Sequence, residues 1–120
     1  MANGHLVKAT GEVVLRVREK PFFLTSRGVA VICEVVDGDV QFGLSAVATF
    51  PGGAGKPQTE AVSGVEAALD RSVEPAREWP GLVFAAEAGS PRAESLCQLL
   101  VPGTLLTLTG PAAIPASHAD

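Results

Sequence analysis

Short apolar runs separated by Gly and Pro constrain the fold of this chain more than any other feature. The run VAVICEVV, residues 29–36, is nearly continuous in β-branched and apolar residues, as in a central strand covered on both faces. Residues 40–50 and 104–110 carry apolar side chains at alternate positions, which is the period of a half-buried strand. Thirteen Gly and nine Pro in 120 residues favour many short strands over a few long helices. The sequence therefore predicts a mainly β protein.

Three further segments complete the predicted strands and turns. Residues 6–18 predict a long first strand, with Gly11 marking a bulge or a sharp bend. The sequence Asp-Gly-Asp at 37–39 predicts a tight hairpin turn, and LVFAA at 82–86 predicts a strand.

One helix is indicated by its boundary signals. Ser90 is a typical N-cap residue and Pro91 suits the first turn, while Pro102 and Gly103 end the segment. The apolar stripe of this helix comprises Ala93, Leu96, Cys97 and Leu100.

Residues 51–77 are predicted to form an enlarged central connection. The sequence PGGAGKP at 51–57 is typical of a flexible loop, and Pro57 after the lysine excludes a phosphate-binding P-loop. Residues 59–73 fit a short helix capped by Thr59, although Gly64 weakens this prediction. Its apolar stripe would comprise Val62, Val65 and Leu69.

The order of these elements predicts a five-stranded oligonucleotide/oligosaccharide-binding (OB-fold) barrel, with one helix before the last strand and an enlarged central loop. Residues 1–110 are expected to form a single domain, and 111–120 a flexible tail. No apolar stretch approaches the roughly 20 residues of a membrane span. The N-terminus lacks a signal-peptide pattern, so a cytoplasmic protein without membrane contact is expected.

The charged and reactive residues indicate binding and not catalysis. The net charge of −4 argues against a protein that holds nucleic acid by bulk electrostatics alone. No nucleophile motif, phosphate loop, dinucleotide motif or metal-ligand spacing is present, so no enzyme, cofactor, metal or small-molecule substrate is expected. Cys33 and Cys97 lie among apolar residues and are predicted to be buried free thiols. Four basic residues cluster within twelve positions, which suits either phosphate binding or a solvated strand edge: Arg16, Arg18, Lys20 and Arg27.

Three blocks in the C-terminal half resemble the family of bacterial single-stranded DNA-binding proteins. EWPGLVFAA, AESLCQLLVPG and TLLTLTG occur in the order of the family's strand, helix and strand motifs, with a lengthened gap after the first block. In the N-terminal half, LVKATGEVV is similar to the family's first strand. Its second strand has two possible matches, at 21–36 or at 38–49, and both remain open. The resemblance covers residues 5–50 and 78–110.

The resemblance implies a barrel that assembles into dimers or tetramers and binds single-stranded DNA on exposed rings. Trp79 matches the family's stacking Trp, and Phe84 matches its stacking Phe if one residue is deleted between them. Phe22 or Phe23 takes the place of a further aromatic residue, and one of this adjacent pair is expected to be exposed. Phosphate contacts would come from Arg16, Arg18, Lys20, Arg27 and Lys56. Other tryptophans of the family and its acidic, Phe-ending tail have no counterpart in this chain.

Two functions are therefore compatible with the sequence. The first is non-sequence-specific binding of single-stranded DNA in replication, recombination or repair. The second is a protein-interaction module or assembly subunit that does not bind nucleic acid. Trp79 as a plug at the end of the barrel, and Phe84 as part of the core, are the structural alternatives to stacking.

Overall fold

The computed structural model of the protein describes residues 12–116. These residues form strands and a single α-helix, which confirms the predicted mainly β class. The elements in chain order are β1 (Val13–Val17), β2 (Phe22–Leu24), β3 (Gly28–Asp37), β4 (Asp39–Val40), β5 (Ala46–Pro51), β6 (Pro57–Val62), β7 (Gly64–Asp70), β8 (Arg77–Phe84), α1 (Pro91–Leu99), β9 (Leu105–Thr109) and β10 (Ala113–Ile114).

Eight of the strands form one antiparallel sheet. The hydrogen-bonded order is β6-β5-β9-β1-β3-β8-β7, and β2 pairs with the first residues of β3. Strands β4 and β10 form a separate two-stranded ladder. No ladder joins the two end strands β6 and β7 in the described residues, so the sheet is open where a closed five-stranded barrel was predicted.

The core lies on one side of this curved sheet, because each strand sends alternate side chains inward. In β1 the inward residues are fully or almost fully buried, and β8 and β9 contribute further Leu side chains in the same way. The rings of Phe50 and Phe84 meet edge to face in this core, with centroids 6.5 Å apart and an angle of 82°. Helix α1 packs on the core through Ala93 and Leu96, and Leu100 follows it.

Helix α1 begins as its boundary signals predict. The Ser90 side chain accepts a hydrogen bond from the backbone N–H of Ala93, and Pro91 occupies the first turn. The predicted apolar stripe is wrong at Cys97, which is exposed. Although the helix precedes β9 as predicted, β9 is not the last strand, because the short β10 follows it.

Residues 51–77 differ most from the prediction. They hold all of β6 and β7 and the first residue of β8 instead of a loop with a short helix. The only helical turn in this segment is the short 3₁₀ turn Gly53–Gly55. Val62 and Val65, predicted on one helix face, are both buried but lie on different strands. Pairing with β5 and β8 supplies the backbone partners that make the extended conformation favourable.

Two turn and tail predictions are also wrong. The sequence at 37–39 does turn at Gly38, whose φ is +95°, but β4 then pairs with β10 and not back onto β3. Within the predicted flexible tail, residues 111–116 hold β10 and the fully buried Ala112. The remaining tail residues 117–120, and Gly11 with the start of the first predicted strand, lie outside the described residues. No helix within 12–116 has the length and apolar character that crossing a membrane requires.

The two cysteines differ in burial, which leads to a labelling prediction. Burial raises the pKa of the Cys33 thiol to about 12, and the nearby Glu34 charge adds to this effect. Because the thiolate is the nucleophile, iodoacetamide at about pH 8 should modify Cys97 and not Cys33 in the native protein. Mass spectrometry of the intact chain should show one adduct before denaturation and two after it. Two adducts on the native protein would contradict the buried position of Cys33.

Candidate nucleic-acid interface

The candidate interface is the outer side of the sheet around the single tryptophan. In β8, Leu82 and Phe84 point into the core, so Trp79 and Gly81 point to the opposite side. Glu34 and Arg16 alternate in the same way with the buried Cys33 and Leu15. We call this outer side the Trp79 face; its polar and aromatic members are Arg16, Arg18, Glu34, Glu66, Asp70, Arg77 and Trp79.

Trp79 is half-buried and is surrounded by charged groups. The Cζ atom of Arg18 lies 3.8 Å from the centroid of the indole, and that of Arg77 lies 5.3 Å from it. Both distances fall within the range of a cation–π interaction. The indole N–H donates to the Asp70 carboxylate at 3.3 Å. The ring therefore lies against the outer sheet surface and is neither a core residue nor a plug in the barrel end.

The Asp70 carboxylate is held by groups beside the indole. The Ser72 hydroxyl donates to it at 2.6 Å and the Ser72 backbone N–H at 2.9 Å. These bonds, followed by the Trp79 bond and the charge of Arg18, hold the pKa of Asp70 below its usual value. Asp70 consequently remains an acceptor that fixes one edge of the ring.

Glu34 connects Arg16 of β1 with Arg18, the residue that follows this strand. Arg16 donates to it at 2.6 Å, and an Nη of Arg18 lies 3.6 Å from its other oxygen. The Arg18 backbone N–H is bonded to the Ile32 carbonyl at 2.8 Å, which anchors the start of this side chain. The Nε of Arg18 is buried and has no hydrogen-bond partner. The guanidinium that covers the indole is thus incompletely paired.

Phe22 and Phe23 are both exposed, with 43% and 41% of their surface accessible, so the expected exposure of one of them is found and the other is exposed as well. The reason is the position of β2, a three-residue strand paired only with β3. Phe22 lies opposite Ala30, which pairs with Val83, and so Phe22 belongs to the Trp79 face. Phe23 points to the other side.

A groove of about 700 Å³ lies beside Phe23. One wall is the β2–β3 turn, where Ser26 has a φ of +65° and Gly28 one of +123°. The other wall is the segment 85–88 after β8. Arg27 from this turn forms an ion pair with Glu66 on β7, so the turn reaches across β8.

The remaining predicted residues are distributed unevenly. Lys20 is exposed between β1 and β2, close in sequence to the Trp79 face. Lys56 lies in the turn between β5 and β6, which are at one end of the sheet, whereas Trp79 is on β8 near the other end. Lys56 is therefore distant from Trp79 in the sheet.

Phe84 does not belong to the interface. Its side chain has no accessible surface and packs on Phe50, so it cannot offer a ring face to a base. The prediction of Phe84 as a stacking residue is therefore wrong, because its odd–even relation to Trp79 on β8 places the two rings on opposite sides of the sheet.

Four members of the Trp79 face were not predicted as site residues: Glu34, Glu66, Asp70 and Arg77. The last two contact the indole. Arg77 precedes Trp79 by two positions, so a strand beginning at 77 would have placed both on one side. Asp70 reaches the indole only through the β7–β8 pairing, for which the sequence carries no local signal.

Within residues 12–116 no group of three or more His, Cys, Asp or Glu side chains is placed to hold a metal ion. No family model, curated protein or solved structure matches the chain.

Proposed function

We propose that the Trp79 face binds single-stranded DNA without sequence preference, as the resemblance of the C-terminal motifs implies. The observation that carries the proposal is the indole held on the outer sheet surface beside the guanidinium groups of Arg18 and Arg77. Aromatic rings flanked by cations are the elements that single-strand binders use, since bases stack on the ring and phosphates pair with the cations. Phe22, exposed on the same side, supplies a second ring.

The local charge supports this proposal in spite of the acidic chain. Five basic residues lie on or beside the Trp79 face, against four carboxylates, which are Glu19, Glu34, Glu66 and Asp70. The basic set comprises Arg16, Arg18, Lys20, Arg27 and Arg77. The excess negative charge of the chain, whose net charge is −4, therefore lies elsewhere on the molecule. A polyanion can approach the Trp79 face, where basic residues outnumber carboxylates.

The proposal includes the finer architecture and the assembly. An OB-fold is a partly open barrel. Here Ser63, the single residue between the end strands β6 and β7, donates both its N–H and its hydroxyl to the Val83 carbonyl of β8. This contact brings the two sides of the open sheet together at one end, as in a divergent OB-fold.

Two rings and a few cations give a single subunit only weak affinity, so we propose that a dimer or tetramer shares one strand of DNA in replication, recombination or repair.

Substitution of the indole tests the binding proposal. We expect Trp79→Ala to weaken binding to oligo-dT of about 35 nucleotides by about 5- to 150-fold, because stacking contributes about 1–3 kcal/mol per base. Fluorescence anisotropy of a labelled oligonucleotide at two salt concentrations measures the affinity. Wild-type binding should fall with salt and should be much weaker to a duplex of the same length.

Phe42→Ala is the matched control for this substitution. Phe42 is 39% exposed, but it lies in the segment between β4 and β5 and not on the Trp79 face. Its removal should leave the affinity unchanged. Equal losses in the two variants would show that binding does not depend on the indole.

A specific observation favours the second function, a protein-interaction module. Several arginines proposed to contact phosphate already pair with carboxylates, Arg16 and Arg18 with Glu34 and Arg27 with Glu66. If the wild-type protein fails to bind oligo-dT at low salt, these pairs are permanent and the interaction module is the better description.

A further inference from the structure

The position of Arg18 raises the question of how a base reaches the indole. The Cζ atom lies 3.8 Å from the ring centroid, a distance that leaves no room for a base between the two groups. A base can therefore stack on Trp79 at this position only if the guanidinium moves, or it must stack on the guanidinium itself. The two possibilities differ in what removal of Arg18 does.

The bonding of Arg18 favours movement. Its buried Nε has no hydrogen-bond partner, and its contact with Glu34 is 3.6 Å long, beyond hydrogen-bond distance. A buried donor without a partner is unfavourable, so turning the side chain outward restores a bond that the covered state lacks. The backbone bond to Ile32 keeps the residue in place on β1 while the side chain turns.

We infer that Arg18 is a displaceable cover of the Trp79 ring, an inference that rests on the proposed function. In the free protein the guanidinium lies on the indole and is held towards Glu34. When a single strand binds, a base takes the position of the guanidinium on the ring, and Arg18 turns to pair with a phosphate of the same strand. The residue thereby couples base stacking to phosphate binding.

The covering itself is tested without nucleic acid. Arg18→Ala should increase the quenching of Trp79 emission by acrylamide, a neutral quencher that does not respond to the change in charge. Arg27→Ala is the matched control, because it removes an equal charge from a residue that pairs with Glu66 and does not touch the indole. Quenching should stay at the wild-type value in Arg27→Ala. Equal quenching in wild-type protein and Arg18→Ala would show that Arg18 does not cover the ring.

Displacement is tested by the salt dependence of oligo-dT affinity. In Arg18→Ala the slope of log affinity against log salt should fall by about 0.7, the value of one phosphate contact to a single strand. At high salt, where phosphate contacts contribute little, the variant should bind about twofold or more tighter than the wild type because no cation–π contact has to be broken. Arg27→Ala should show no such gain.

Weaker binding of Arg18→Ala at every salt concentration would overturn the inference, since it would mean that bases stack on the guanidinium and not on the ring. This result is distinct from failure of the proposed function, in which the wild-type protein itself does not bind oligo-dT at low salt. The acrylamide measurement retains its meaning in either case.

Discussion

We expect Phe84→Ala to lower the free energy of unfolding by about 3–5 kcal/mol, the range for a fully buried Phe truncated in a packed core. The side chain has no accessible surface, and its ring meets Phe50 edge to face at 6.5 Å. Its loss removes both the buried apolar area and this ring contact. Urea unfolding followed by circular dichroism measures the change.

Phe42→Ala is again the control, because an exposed side chain should change stability by no more than about 0.5 kcal/mol. Phe84→Leu keeps an apolar side chain in the core and allows binding to be measured on folded protein; its affinity for oligo-dT should equal that of the wild type. A stable Phe84→Ala variant with reduced affinity would place Phe84 in the interface and contradict the structure.

The second large effect is expected at Gly28, where the β2–β3 turn meets the end of β8. A Cβ at this position would lie 2.0 Å from the carbonyl oxygen of Phe84 and 2.9 Å from the backbone nitrogen of Ala86. The φ of +123° is also unfavourable for any other residue. Gly28→Ala should therefore lower the free energy of unfolding by about 2–6 kcal/mol, with strain and overpacking each contributing about 1–3 kcal/mol.

Gly43→Ala separates the two causes. Gly43 has a similar positive φ of +91°, but a Cβ there would meet no atom within 4 Å. Its alanine variant should lose only the strain contribution, so its urea midpoint should lie between those of the wild type and Gly28→Ala. Equal midpoints for the two variants would show that the turn does not press against β8.

Local signals made some elements predictable. Ser90 and Pro91 mark the start of α1 by their own chemistry, and the alternating residues of β1 and β9 place their inward side chains correctly. The helix predicted within 59–73 is wrong because its apolar spacing also fits two strands joined by Ser63. Only pairing with the neighbouring strands β5 and β8 decides between the two structures.

The candidate site was also predictable only as far as local signals reach. Trp79 and the basic residues of β1 could be identified one strand at a time. Their arrangement could not, because the contact between Arg18 and Trp79 joins β1 to β8 through the intervening β3. Similarly, the motif spacing predicted Phe84 as a second stacking ring beside Trp79. The alternation of side chains along β8 instead places Phe84 on the core side of the sheet.

The most direct measurement uses Trp79 emission during titration with unlabelled oligo-dT, since this is the only indole in the chain. We expect saturable quenching that added salt reverses, with a midpoint that agrees with the anisotropy titration. Quenching should not occur with a duplex of the same length. Binding of oligo-dT that leaves the emission unchanged would contradict the account, because the strand would then lie elsewhere on the molecule.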